Sequence, residues 1–297
     1  TPKPSSAASD VYKRQSMINR SFKPETRLIV FTDLDATLLH QHSYDWTPAI
    51  SALEIVESKG AELVLASSKT YSELWDFAEK LGTQAPFIGE NGGVIAIPNS
   101  HPLSSHTPEE PNHDGYRILT NGLSREKLLQ TIATLRSEFG FRLQGFADWS
   151  AHELGKLTGL SIAQAQKALR RQASEPILWQ DNAEQLVLFE REVELRGMKV
   201  IRGGQFLHVM GQTDKADAMK QLLAYYEASF PQAKFTSIAL GDSENDVGMI
   251  TQADFGVVIP NPKRTEPLVL EGRNIIYAPQ AGPAGWNTVI SELFESL

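Results

Sequence analysis

The chain has 297 residues, with 28 Lys plus Arg against 36 Asp plus Glu, a formal net charge of −8 and no cysteine. No apolar run approaches the roughly 20 residues of a membrane helix, and the acidic balance, with no Lys/Arg-rich tract, argues against nucleic acid or anionic lipid as the main partner. The lack of Cys removes disulfides, thiolate catalysis and Cys-based zinc sites, and fits a reducing, cytoplasmic setting.

Residues 1–16 are polar and lack the apolar centre of a secretion signal. The run from Asp10 to Gln15 resembles a translated sequencing adaptor, so Met17 is the expected start and 1–16 an artefactual or disordered tail. A buried strand is predicted at 28–31, ending in an acidic cluster. Thr47-Pro48 supplies the N-cap and first-turn proline of a helix reaching about Gly60. Residues 62–66 read as a second buried strand, and Thr70 with Glu73 as the capping box of a helix to Leu81. Short strands at 86–88 and 94–97 flank the turn Glu90-Asn91-Gly92-Gly93. This alternation predicts an α/β fold with a parallel sheet covered on both faces.

Residues 101–112, rich in Pro, Ser and His, are predicted to form an exposed loop. The pattern then changes, with strands near 116–120, 141–146, 185–189 and 198–202 and helices near 124–138, 150–156 and 161–172. That reads as an α+β insert. The βα pattern returns with strands at 206–209, 237–240 and 255–259, and helices at 214–226, 244–251 and 288–297. The expected layout is a core of 17–112 and 204–297 interrupted by a cap of 113–203.

In an open parallel sheet, ligands bind at the carboxyl ends of the strands. Four such ends carry polar chemistry. Asp33-Leu34-Asp35-Ala36-Thr37 brings two carboxylates to one turn, where like charges at ~4 Å repel by several kcal/mol at an intermediate dielectric. A divalent cation or a shared proton offsets that repulsion. Ser67-Ser68-Lys69-Thr70 puts hydroxyls, an ammonium and free N–H groups at a helix start, an anion cradle. Lys215 opens a helix against its dipole, which suggests a nearby anion. Asp242-Ser243-Glu244-Asn245-Asp246 offers hard oxygen donors suited to Mg²⁺.

Taken together, these four segments resemble the haloacid dehalogenase superfamily of aspartate-nucleophile phosphatases. The resemblance implies a Rossmann-like parallel-sheet core with an inserted α+β cap. It also implies that Asp33 is the nucleophile, that Asp35 is the general acid and base, and that Ser67 and Lys215 hold the phosphoryl oxygens. Mg²⁺ would then sit among the Asp33 carboxylate, the Asp35 backbone carbonyl and Asp242, with Asp246 beside them. The superfamily carries Gly where Ala36 stands, and Ala fits there without penalty only if its φ stays below zero.

Within the superfamily, the segments at 67–70, 90–93, 145–148, 158–160, 206–208 with 214–215, and 282–286 resemble the mannosyl-3-phosphoglycerate phosphatase group. The substrate implied is a mannosyl- or glucosyl-3-phosphoglycerate, and the expected substrate contacts are Thr37, Ser68, Lys69, Arg202, Gln205 and Asn245. Gln205 stands where the group tends to carry Arg, and Arg202 would need a bulged strand to replace it. His40, His42 and His208 are expected to be non-catalytic. Sucrose-, trehalose- or hexose-phosphate hydrolysis, a phosphomannomutase and a non-catalytic sugar-phosphate binder are the competing readings.

Overall fold

The computed structural model describes residues 25–107, 115–202 and 205–297; the predicted tail, and part of the loop predicted at 101–112, lie outside them. The chain opens with β1 (Glu25–Thr32), and a 3₁₀ turn carrying Pro48 leads into α1 (Ile50–Ser58). Next come β2 (Glu62–Ala66), α2 (Tyr71–Leu81), β3 (Phe87–Gly89), β4 (Val94–Pro98) and β5 (Tyr116–Thr120). The capping box forms as the sequence requires: Glu73 N donates to Thr70 Oγ1 at 3.2 Å, and Thr70 N to Glu73 Oε2 at 2.9 Å. Gly82 then ends α2 in the left-handed region at φ 70°.

The middle of the chain holds α3 (Arg125–Phe139), β6 (Leu143–Gly145), α4 (Ala151–Thr158), α5 (Ile162–Ala168), β7 (Ser174–Trp179), α6 (Ala183–Leu195), β8 (Met198–Arg202) and β9 (Leu207–Gly211). After it come α7 (Lys215–Ser229), β10 (Ala233–Gly241), α8 (Val247–Gln252), β11 (Phe255–Val258), β12 (Ile275–Tyr277) and α9 (Gly282–Ser296).

The strand predicted at 185–189 lies instead inside α6. The Asn182 side chain caps this helix through Gln185 N, and Phe189 and Val193 are fully buried one turn apart while Val187 is 65% exposed. The apolar run alone looks like a strand, but helical spacing decides which of its members reach the core. The strand is β7, disguised by Pro176. β6 stops opposite Ile177, so the residue without an N–H lies past that pairing.

Eight strands form the large sheet in the order β12-β11-β10-β1-β2-β3-β4-β5. The strands from β12 to β3 run parallel, and β4 and β5 add an antiparallel edge. β1 is buried on both faces: Ile29 and Phe31 pack with Leu222 and Tyr226 of α7, while Val30 packs on the other side with Trp286 and Ile290 of α9. The small sheet, β6-β7-β9-β8, is antiparallel throughout. One of its faces is closed by α3 and α6 around Leu128, Phe189 and Val209.

β5 joins the large sheet and β9 the small one, so the division between sheets falls later at both ends than the expected 113–203. The reason is pairing: Tyr116–Thr120 completes the β4 edge, and Leu207–Gly211 fills the gap between β7 and β8. No helix among the described residues is long and apolar enough to cross a membrane.

Candidate active site

β1 lies between β2 and β10, where the chain's progression across the large sheet reverses, and a ligand site is expected at the carboxyl ends of this switch point. Asp33 follows β1 and Asp242 follows β10. Asp33 N donates to Leu240 O at 2.9 Å, which locks the two ends together. Below them, Trp286 Nε1 donates to Thr32 Oγ1 at 3.0 Å, and that hydroxyl donates to the Asp33 carbonyl at 2.8 Å.

One oxygen from each of Asp33, Asp242 and Asp246 lies within 4.8 Å of the others, and all three residues are buried. Lys215 is wholly buried among them, with Nζ 2.7 Å from Asp33 Oδ1 and 2.6 Å from Asp246 Oδ1. These anions account for a cation at the start of α7. Burial works against the Lys215 charge, but Asp246 and Asp33 outweigh it and hold the ammonium above its ordinary range. Burial pushes the Asp33 carboxyl well up; Lys215 pulls it back, while Asp246 and Asp242 push it further. Asp242 is pushed up to about 6, by burial first and then by Asp246.

Asp246 is fixed by Asp242 N at 3.1 Å and Ser243 N at 3.2 Å. Gly241 permits this fold-back, since a Cβ there would meet Asp246 Cβ at 2.3 Å. Asp242 accepts from Thr37 Oγ1 at 3.1 Å and Asn261 Nδ2 at 2.5 Å. Thr37 is fully buried, so it positions Asp242. Asn261 is not marked by the sequence, because a contact 19 residues away, past a helix and a strand, leaves no spacing signal.

The Asp35 carboxylate stands outside the acidic trio. Its Oδ2 is held by Lys69 Nζ at 2.7 Å, while its Oδ1 is buried without a hydrogen-bond partner. Lys69 is therefore engaged by Asp35, and its ammonium also lies 5.3 Å from the Tyr44 ring centroid. Tyr44, another residue the sequence did not single out, has φ 56°. Ser67 is buried and Ser67 Oγ accepts from Lys69 N at 3.3 Å. The Ser68 carbonyl is bound by Arg171, and Asn245 Nδ2 donates to Asn91 Oδ1 at 2.9 Å. The Arg202 guanidinium bonds Glu190 of α6 at 2.7 Å, on the face that Met198 and Val200 turn toward the helices, and Gln205 is exposed. Neither Arg202 nor Gln205 has a hydrogen bond to the acidic trio among the described residues.

Ala36 does not meet the condition for an unstrained alanine: its φ is 63°, in the left-handed region. The turn is closed by Thr37 N and Leu39 N, both donating to Leu34 O. An L-residue there costs about 1–2 kcal/mol, so Ala36→Gly is expected to raise stability by about 1 kcal/mol in urea unfolding. An unchanged or lower stability would refute that.

His208 shares with Pro176 and Ile201 the face of the small sheet away from α3 and α6, and its Nδ1 lacks a partner. Burial, then the Arg171 guanidinium, lowers its pKa to about 3. The folded protein thus keeps His208 neutral where the unfolded chain takes up a proton near pH 6.5. Its stabilising contribution is full above that pH and lost as pH falls toward 3. His208→Gln should gain about 2 kcal/mol on wild type between pH 7 and pH 5; urea unfolding at both pH values tests this, and a constant gap would count against it.

Residues 30–265 match the haloacid dehalogenase-like hydrolase family. A glucosyl-3-phosphoglycerate/mannosyl-3-phosphoglycerate phosphatase of Methanococcoides burtonii is 32% identical over 266 residues, 89% of this chain and 96% of that one. An enzyme of the same description from Persephonella marina is 32% identical over 272 residues, 91% and 98% of the two chains. Among solved structures, a Thermoplasma acidophilum protein has a TM-score of 0.61 at 20% identity, over 92% of this chain and 100% of that one. The sucrose-phosphatase of Synechocystis, solved with sucrose and phosphate, has a TM-score of 0.56 at 16% identity, over 91% and 98%.

Proposed function

The chain belongs to the haloacid dehalogenase-like hydrolases, and on that premise we propose that it is a phosphatase releasing the glycosylglycerate from mannosyl- or glucosyl-3-phosphoglycerate. The observation that carries this reading is the pairing of a buried Lys215 with Asp33 at the end of β1, beside the carboxylates that follow β10. Similarity to the two phosphoglycerate phosphatases supports the substrate class.

In this reading an Asp33 carboxylate oxygen attacks phosphorus, and the sugar-glycerate oxygen leaves with a proton from Asp35. Asp35 then takes a proton from the water that attacks the aspartyl-phosphate, and inorganic phosphate departs. Lys215 opposes the burial that favours a protonated Asp33 and meets a phosphoryl oxygen, while Ser67 donates to a second one. Lys69 now pairs with the Asp35 carboxylate, the form that activates water. The substrate's own carboxylate competes for Lys69, and drawing it away frees the Asp35 side chain to meet the leaving oxygen. The acidic trio exceeds in charge the one lysine among it, and its hard oxygen donors fit Mg²⁺. Bound there, Mg²⁺ supplies neutralisation of the developing phosphoryl charge.

The test is phosphate release, at neutral pH with Mg²⁺, by a chain begun at Met17. The panel is mannosyl- and glucosyl-3-phosphoglycerate, sucrose-6-phosphate, trehalose-6-phosphate and mannose-6-phosphate, with a chelated control. A preference for a glycosyl-phosphoglycerate, lost on chelation, is expected. A preference for a plain sugar phosphate would keep the chemistry and reject the substrate. It would also fit the engaged Arg202 and the neutral Gln205. Isomerised product without phosphate release would indicate a mutase.

A further inference from the structure

Glu90 leaves β3 fully buried and has no part in the chemistry above, yet its carboxylate accepts three hydrogen bonds from one distant segment. Gln172 N donates at 2.8 Å, Ala173 N at 3.0 Å and Ser174 Oγ at 2.6 Å, all at the root of β7 in the small sheet. Arg171 reinforces the junction: its Nη1 donates to Ser174 Oγ at 2.8 Å, and both its Nη atoms donate to the Ser68 carbonyl at 3.2 Å.

The same turn grips the phosphate end of the large sheet. Glu90 N donates to Lys69 O at 2.8 Å and Asn91 N to Ser67 O at 3.0 Å, while Asn91 Oδ1 accepts from Asn245. Both chain crossings between the sheets also touch it. Asn121 N donates to Gly93 O at 2.8 Å and Thr213 Oγ1 to Gly92 O at 3.5 Å. The glycines allow this convergence: a Cβ on Gly92 would fall 2.0 Å from Asp214 O, and one on Gly93 2.7 Å from Ala173 Cβ.

Glu90 and Asn91 hold φ of 51° and 56°. A left-handed glutamate is disfavoured and persists only where its surroundings dictate the geometry. Simple burial does not ask for a carboxylate here, because an apolar side chain would fill the space without three donors to satisfy.

We propose that Glu90 is a positioning residue that latches the root of β7 to the Ser67–Lys69 turn, so that the small sheet stays registered over the phosphate end of the site. The proposal rests on the phosphatase reading for its kinetic consequence only. Its geometric consequence stands alone: without the carboxylate, the two sheets sample a wider range of relative positions.

The absence of native cysteine makes the measurement direct. Glu57→Cys on α1 and Ser137→Cys on α3, both exposed, give one spin-label pair across the two sheets of the full chain. The unmodified latch should yield one narrow distance distribution, and Glu90→Ala a broadened one with a longer component. Glu90→Gln, which keeps one acceptor and can donate to Ser174 Oγ, should restore most of the narrow distribution. In kinetics, Glu90→Ala should lose at least 30-fold in kcat/KM toward the preferred glycosyl-phosphoglycerate, mainly through KM. The loss toward acetyl phosphate, too small to span both sheets, should be at least tenfold smaller. Equal losses for both substrates with an unchanged distance distribution would overturn the latch and leave Glu90 a structural buried acid. Should Glu90→Ala fail to fold, Ser174→Ala, which deletes a single donor, takes its place, and an unbroadened distribution would again overturn the proposal. If wild type turns over acetyl phosphate but no glycosyl-phosphoglycerate, the substrate reading fails and the distance measurement decides the latch by itself.

Discussion

Asp33→Asn is expected to lower phosphate release by a factor of roughly 1,000 or more, because an amide oxygen does not displace an alkoxide from phosphorus. The substitution keeps shape and leaves the Asp33 N bond to Leu240 O in place, so the sheet is not disturbed. It also removes a charge from a place where burial already disfavours it. The metal-free variant should therefore be as stable as wild type, or more stable by about 1 kcal/mol, in urea at neutral pH. Loss of activity with retained stability is the informative combination. Activity within tenfold of wild type would place the nucleophile elsewhere.

Lys215→Met should have the second largest effect, on stability as well as on turnover. Lys215 is fully buried and is the partner of two carboxylates in the acidic trio. Removing one member of a buried ion pair costs about 3–5 kcal/mol, because the remaining charge stays buried without its partner. Three carboxylates then face one another. The sign of the pH dependence follows from the raised folded-state pKa values. A carboxyl held above its unfolded value adds stability that is present below the unfolded pKa and lost as pH rises through the folded one. For Asp242 that window ends at about 6. The deficit of Lys215→Met should accordingly shrink as pH falls from 7 to 4, and Mg²⁺ should reduce it at pH 7. Urea unfolding at both pH values, with and without Mg²⁺, reads both effects. A deficit below about 1 kcal/mol, or one indifferent to pH, would contradict the arrangement.

The centre of the site was legible because each of its residues belongs to a short local pattern: a strand end, a helix cap or an acidic turn. Asp33, Asp35, Ser67, Lys215, Asp242 and Asp246 all lie in such patterns. What stayed hidden depends on contacts between distant segments. Asn261 reaches Asp242 from a loop, and Glu90 meets Gln172–Ser174 across more than eighty residues. Ala36 shows a different limit. The sequence shows that a non-glycine stands in the turn, but the φ of 63° is imposed by the hydrogen bonds to Leu34 and is visible only in the fold. Among the strands, β7 was lost to its proline and its place was given to an apolar stretch of α6, a conflict that burial resolved.

The parallel pairing of β1 with β10 sets residues 25–32 beside 233–240. In a growing chain, β1 leaves the ribosome early and waits for a neighbour that is synthesised only after the entire small sheet. Closing so long a loop is entropically late and slow relative to the local pairings inside that sheet. The segment bearing Asp33 must therefore be sheltered on β2 alone until β10 arrives. A chain stopped before that point holds Asp33 without Asp242, Asp246 or the pocket that buries them. The acidic cluster is thus assembled only once β10 and the turn after it have been made, late in the chain.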